Sequence, residues 1–303
     1  MSIPRYSRLG IALWCSAALL TSPALHAQQK VDLRRAASPN VSLRIQGAFA
    51  SLRVTAWAKD SVVITGTLPK GFRIEGGMGG ADGTPARGGK FFVEGPEPLG
   101  PSGGTLEVRI PANATLWAKA FNATIDVAGM DGSLDLNIVS GSVQVSGNPR
   151  ELSVASMDGP ITVNGSPAWT RLKTADGSIV MRGGSTDAAF TTVSGLIRQS
   201  DGALERARFE TVTGGIEFSG DLARGAAVNV DTHSGAVDIR LAAKVSVEID
   251  AASITASIEN QLGRQRADVG RDGRGATLIT TLGQGSARLI IRTFKGNIRL
   301  SSR

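Results

Sequence analysis

Two groups of side chains lie close enough in this sequence to suggest chemistry. Glu205, Arg206, Arg208, Glu210 and Glu217 put carboxylates and guanidiniums within one short stretch. A polysaccharide lyase or hydrolase needs little more than a few such groups on one face. The same residues follow the alternation of outward-facing strand positions, so the expectation is that they are solvated and that the chain has no catalytic residues. A carbohydrate-active lyase or hydrolase is kept as the alternative. His233, the one histidine after residue 27, stands beside Ser234-Gly235 and reads as a polar turn residue. No G-x-S-x-G elbow supports a Ser-His-Asp triad.

The second group is basic. Arg264, Arg266, Arg271, Arg274, Arg288, Arg292, Lys295, Arg299 and Arg303 face only Asp268 and Asp272 in the last part of the chain, while the whole chain carries a net charge of +7. The first eight of these form a candidate site for an anionic surface such as a lipid headgroup or another envelope polyanion. A solvated edge that discourages aggregation is the other reading of the same charges. Nucleic acid is not expected, because this segment offers only Phe294 for base stacking.

No metal and no cofactor are expected. Asp158, Asp176 and Asp201 recur before glycines and suggest a stacked carboxylate row, but the nonapeptide pattern of calcium-binding β-rolls is missing. Gly83 to Lys90 fails as a phosphate loop, since Gly89 stands where lysine is needed and Phe91 follows Lys90. Trp117 and Trp169 are candidates for stacking on sugars or for packing. Trp57 reads as an aromatic plug at the end of a core.

The elements that must position these groups announce themselves by a repeat. Ser140-Gly141-Ser142-Val143, Asp158-Gly159-Pro160-Ile161, Asp176-Gly177-Ser178-Ile179 and Ser194-Gly195-Leu196-Ile197 recur at a constant step. Thr213-Gly214-Gly215-Ile216 and Ser234-Gly235-Ala236-Val237 continue the series more loosely, and Asn122-Ala123-Thr124-Ile125 extends it upstream. Each unit holds two short strands and two turns, and no single unit can bury its apolar side. The expected fold is all-β: a β-solenoid of about 18–21-residue coils. The glycine is expected to supply a positive φ in the turn.

Residues 28–115 read as a less regular β region. Val41-Ser42-Leu43-Arg44-Ile45, Leu52-Arg53-Val54 and Leu106-Glu107-Val108-Arg109-Ile110 alternate apolar and polar side chains. Residues 76–104, rich in Gly and Pro, form an excursion or hairpin with a loose tip. Residues 116–303 hold the solenoid repeats, and the strands around Arg288–Arg292 and Gly296–Leu300 are expected to cap the stack.

Residues 1–27 have the parts of a secretory signal: Arg5 and Arg8, an apolar run from Leu9 to Leu20, and Ala27 before Gln28. Its removal takes two arginines and no acid, lowering the net charge of +7 to +5. It also removes Cys15, the only cysteine, which lacks the small preceding residue of a lipoprotein signal. The expected location is outside the cytoplasm, in the periplasm, at the cell surface or secreted, with no transmembrane segment left after cleavage.

Leader, early strand with Trp57 before Asp60 and Val62-Val63-Ile64-Thr65-Gly66, Pro-ended strand Leu106 to Pro111, and serial Ser-Gly-x-apolar turns together resemble the DUF4097 group of bacterial β-strand repeat proteins, described as adhesin-like. The resemblance covers most of residues 31–303. It implies an exported β-solenoid with no catalytic residues to carry across. The expected function is a non-enzymatic adhesin-like or scaffold protein of the bacterial cell envelope, with a polysaccharide, an anionic surface or a protein as partner. A polymer-forming structural protein is a further alternative.

Overall fold

The computed structural model describes residues 28–81, 83–96 and 103–303. The leader read in residues 1–27, and Pro98 and Pro101 of the excursion, lie outside the described residues. Among the described residues every regular element is a strand. The first six are β1 (Gln29–Gly47), β2 (Phe49–Trp57), β3 (Ser61–Leu68), β4 (Arg73–Gly79), β5 (Ala86–Glu94) and β6 (Gly104–Pro111). The repeat supplies β7 (Thr115–Ala128), β8 (Ser133–Ser146), β9 (Glu151–Ala155), β10 (Ile161–Asn164), β11 (Trp169–Lys173), β12 (Ile179–Arg182), β13 (Ser185–Thr191), β14 (Ile197–Thr211), β15 (Ile216–Thr232) and β16 (Val237–Leu241). The chain ends with β17 (Val247–Ser253), β18 (Ile258–Asn260), β19 (Asp268–Val269), β20 (Ala276–Leu282), β21 (Ala287–Thr293) and β22 (Ile298–Ser302).

Equivalent residues of successive repeats pair in parallel. In the first ladder Leu116, Leu134, Leu152, Thr170, Ala188, Ala207, Val228 and Leu289 are consecutive partners. In the second, Ile125, Val143, Ile161, Ile179, Ile197, Ile216, Val237 and Ile298 stack in the same way. Neighbouring levels of such ladders are about 4.8 Å apart. β8 and β14 bend to serve both ladders, so β8, β10, β12, β14, β13, β11 and β9 close a ring of seven parallel strands.

Alternation decides which side chains turn inward between the two ladders. Ala118, Leu136, Val154, Leu172, Phe190, Phe209 and Val230 form one inward column and all are buried. Burying each of the larger ones contributes roughly 1.5–3 kcal/mol, which two-residue alternation repeats at every level. Phe190 stacks on Phe209 at 4.8 Å, and Phe218 meets Phe209 edge-on at 6.0 Å. Gln199 intrudes into the second inward column between Met181 and Phe218 and is fully buried. Its Nε2 donates to the carbonyls of Gly183 and Asp201, pinning the bend at Asp201-Gly202, where both φ angles are near +60°.

The less regular N-terminal region joins the same ladders. Ser42–Gly47 of β1 and Ser51–Thr55 of β2 pair in parallel with the two halves of β7. β4 and β5 pair as an antiparallel hairpin that begins at Arg73, three residues before the excursion expected at 76–104, and ends at Glu94. Both ends of the stack switch to antiparallel pairing, through β3 with β1 and β6 and β4 with β5 at one end, and through β20 with β17 and β19 at the other. The last strands are not the cap. β21 lies between β15 and β17, and β22 between β16 and β18, so the C-terminal segment threads into the stack and leaves β18–β20 at its end. The apolar alternation of Leu289, Ile291, Ile298 and Leu300, all buried, fits an interior level.

Candidate functional site

The turn that joins the two ladders is built on a Ser/Thr column. Ser156, Thr174, Thr192, Thr211, Thr232 and Thr293 each stand three residues before a column glycine and accept a hydrogen bond from its N–H, at 2.7–3.1 Å. Thr174, Thr192 and Thr211 also donate to a carbonyl of the preceding level, at 2.9, 2.9 and 3.2 Å. These residues are buried; each hydroxyl gives the glycine N–H an acceptor, and those of Thr174, Thr192 and Thr211 add a further bond to a carbonyl that already accepts from backbone N–H groups of the next level. At the expected Ser/Asp position before the glycine, Ser194 Oγ donates to Asp176 Oδ1 at 2.6 Å, which joins alternating residues instead of opposing like charges.

With hydroxyl and glycine held inward, the residue between them and immediately after the hydroxyl points out. Met157, Val193, Val212, Phe294 and Ile254 occupy that position, and Phe121 the equivalent one upstream; they are between 42 and 61 % exposed. His233 shares the row and stacks on Phe294 at 5.1 Å with rings nearly parallel. An apolar ridge therefore runs along one corner of the stack. The sequence carries a partial signal for the ridge, an apolar residue two before Gly159, Gly177, Gly195, Gly214 and Gly296, a position that takes no part in the turn dipeptide itself.

The basic candidates do not form one patch. Arg292 reaches Asp250 at 2.5 Å, and Arg299 reaches Glu259 at 3.1 Å on the other ladder. Lys295 lies over the Phe294 ring at 5.8 Å, and Arg288 is exposed on the first ladder. Arg264, Arg266, Arg271 and Arg274 are grouped on the segment between β18 and β20, at the end of the stack. All four are exposed, and among the described residues none of them makes a salt bridge.

The carboxylates that a hydrolase would need are dispersed. Glu217 sits on the second ladder and accepts from Arg198 Nε at 2.7 Å. That bond holds its carboxyl below the usual glutamate range despite partial burial. Glu210 pairs with Arg208 at 2.6 Å on the first ladder, and Arg206 with Asp187 at 3.2 Å. Burial pushes the Asp187 carboxyl up, but Arg171 and Arg206 together hold it below its ordinary value. Glu205 is exposed. Among the described residues no group of three or more His, Asp or Glu side chains is arranged to hold a metal ion.

The tryptophans face outward. Arg44 lies over Trp117 at 4.6 Å and Arg171 over Trp169 at 4.2 Å, so each indole already has a cation on one face. Trp57 shares the parity of exposed Arg53 and Thr55, not of buried Leu52 and Val54. Its Nε1 donates to the Ser61 carbonyl at 2.8 Å and Lys59 lies over its ring at 5.4 Å, so it does not plug the core. No helix among the described residues is long and apolar enough to cross a membrane.

These features define an all-β protein of stacked repeats. No family model matches the chain, and no curated protein matches it. Among solved structures, a "putative cell adhesion protein" from Clostridium sporogenes ATCC 15579 is similar over 91% of this chain and 99% of its own, with 8% identity and a TM-score of 0.24. A "putative adhesin" from Bacteroides fragilis NCTC 9343 is similar over 91% of this chain and 98% of its own, with 7% identity and a TM-score of 0.36. At these scores neither likeness bears on function.

Proposed function

We propose that the chain is an exported, non-catalytic, adhesin-like β-solenoid scaffold of the bacterial envelope, which holds an anionic partner at the C-terminal end of its stack. The observation that carries this reading is the contrast among arginines. Arg171, Arg198, Arg206, Arg208, Arg240, Arg292 and Arg299, on the ladders, are each matched to a carboxylate, and Arg182 and Arg288 stand there singly without one, whereas Arg264, Arg266, Arg271 and Arg274 are four unmatched arginines on one end segment. Unpaired guanidiniums grouped at one end attract phosphate- or carboxylate-bearing surfaces from a distance set by the ionic strength. Dispersed and neutralised carboxylates support holding a partner over cleaving it.

The test is sedimentation of the purified protein with anionic lipid vesicles and with lipopolysaccharide, at low and moderate salt, while the same samples are followed for glycan breakdown. Binding that weakens steeply with salt and is lost when the four arginines become glutamine supports the reading. Salt-independent retention, or release of a glycan product, overturns it.

A further inference from the structure

The two ladders end at different heights. Beyond β17 the first ladder continues through β20 and β19, whereas β18 closes the second ladder and, among the described residues, pairs with β22 alone. Ser257 accepts from the Ile298 N–H at 3.0 Å, and the Gln261 N–H donates to Leu300 O at 2.8 Å. In a parallel ladder the intervening groups alternate, so the N–H and C=O of Ile258 and Asn260 are aimed at the opposite edge. Over that edge lies a groove of about 610 Å³, lined by Thr255–Ile258 and Asn260 on the strand side and by Arg266, Ala267, Val269 and Gly275 of the following segment. Arg274 stands between the lining residues Gly273 and Gly275.

We infer that this step is a strand-addition site: an extended acidic segment of a protein partner pairs with β18 as the next level of the second ladder. Three observations converge. The backbone of Ile258 and Asn260 has donors and acceptors to offer along an open edge, the mode by which peptides extend a sheet. The groove has a mixed lining and takes alternating side chains, the inward ones continuing the column that ends at Ile258. The wall of the groove carries Arg266, with exposed Arg274 between two of the lining residues, and neither has a carboxylate partner, which favours an acidic strand and disfavours a second copy, whose own end would bring the same arginines into contact. Open edges are ordinarily covered or charged against self-association, and here the charge also selects what is admitted. The inference rests on the reading that this end of the stack is the binding end, and narrows its partner to a polypeptide.

The probe is a seven-residue peptide of alternating valine and glutamate, acetylated and amidated, titrated into the purified protein by fluorescence anisotropy. A second copy of the peptide is N-methylated at alternate residues, which removes strand hydrogen bonds but keeps every charge. Saturable binding that N-methylation weakens about tenfold or more supports strand addition, two backbone hydrogen bonds being lost. Equal binding of the two peptides, or none up to about 1 mM, overturns it, as does concentration-dependent dimerisation that competes with the peptide. Ile258→Pro in the protein blocks the edge without touching an arginine. It is expected to abolish peptide binding while leaving sedimentation with anionic vesicles unchanged. Peptide binding without vesicle binding would retain strand addition and reject the polyanion reading; the reverse would reject strand addition alone.

Discussion

Gly195 lies directly over Gly177: a Cβ built on Gly195 would overlap the Gly177 carbonyl oxygen. The same relationship links Gly177 to Gly159, Gly214 to Gly195, Gly235 to Gly214 and Gly296 to Gly235. Of the column glycines only Gly141 has a φ in the left-handed region. The column is therefore glycine because successive levels of the turn approach too closely for a side chain, and the positive φ expected from the turn dipeptides is found at the opposite turn, at Gly147, Gly165 and Gly183.

Gly195→Ala is expected to destabilise the protein by about 2 kcal/mol, the usual range for a side chain forced into filled space. The control is Gly77→Ala, where a Cβ meets nothing within 4 Å; it should shift stability by no more than ~0.5 kcal/mol. Urea unfolding followed by circular dichroism separates the two. Equal midpoints would refute the close-approach account.

The Thr column makes a sharper demand. Thr192 Oγ1 accepts from Gly195 N–H at 3.1 Å and donates to Ala175 O at 2.9 Å. Thr192→Val keeps the shape and removes the hydroxyl, leaving the buried Gly195 N–H without its acceptor while Ala175 O still accepts from the Val193 and Ser194 N–H groups, at a cost of about 1–3 kcal/mol. Thr192→Ser keeps the hydroxyl and should recover most of that loss. Amide exchange at Gly195 reports the same bond locally, and protection surviving in the valine variant would count against it.

How much of this was readable beforehand follows from what repeats. The step between Gly141 and Gly195 and the alternation of Val143-Gln144-Val145 were enough for an all-β stack, because parallel in-register pairing places identical positions over one another. The Ser/Thr column was equally periodic but sits three residues from the glycine, where a turn read only from its dipeptide does not look. The threading of β21 and β22 into the stack left no local mark. Ile298 pairs with both Val237 and Ile258, and nothing in the alternation of Ile298-Arg299-Leu300 says which levels flank it. The four unpaired arginines belong to a longer basic segment of the sequence, but the carboxylates that neutralise Arg292 and Arg299 lie some 40 residues away in the chain and are brought close only by the fold.

The Arg198–Glu217 pair predicts the direction of a pH effect. The hydrogen bond from Arg198 lowers the Glu217 pKa in the folded protein. A depressed carboxylate contributes stability above its unfolded pKa and loses it as pH falls through the folded one, so its contribution disappears below about pH 4. Glu217→Gln should therefore flatten the acid limb of the stability profile. The pair is well exposed, with side chains 47% and 35% accessible, so the change should stay within about 0.5 kcal/mol at pH 7 and shrink with salt. A variant whose acid limb matches that of the parent protein would place the depression elsewhere.

The apolar ridge makes the opposite kind of prediction, since its side chains are exposed where those of the column beneath them are buried. Met157 and Val212 lie on turns whose backbone is already held by Ser156 and Thr211. Met157→Ser and Val212→Ser should each alter stability by no more than ~0.5 kcal/mol, because little apolar area returns to water. Val154→Ser, three residues before Met157 and buried, should cost several times as much. Comparable losses at all three positions, measured as urea midpoints, would mean that the ridge is packed in solution and that the turn column does not present it outward.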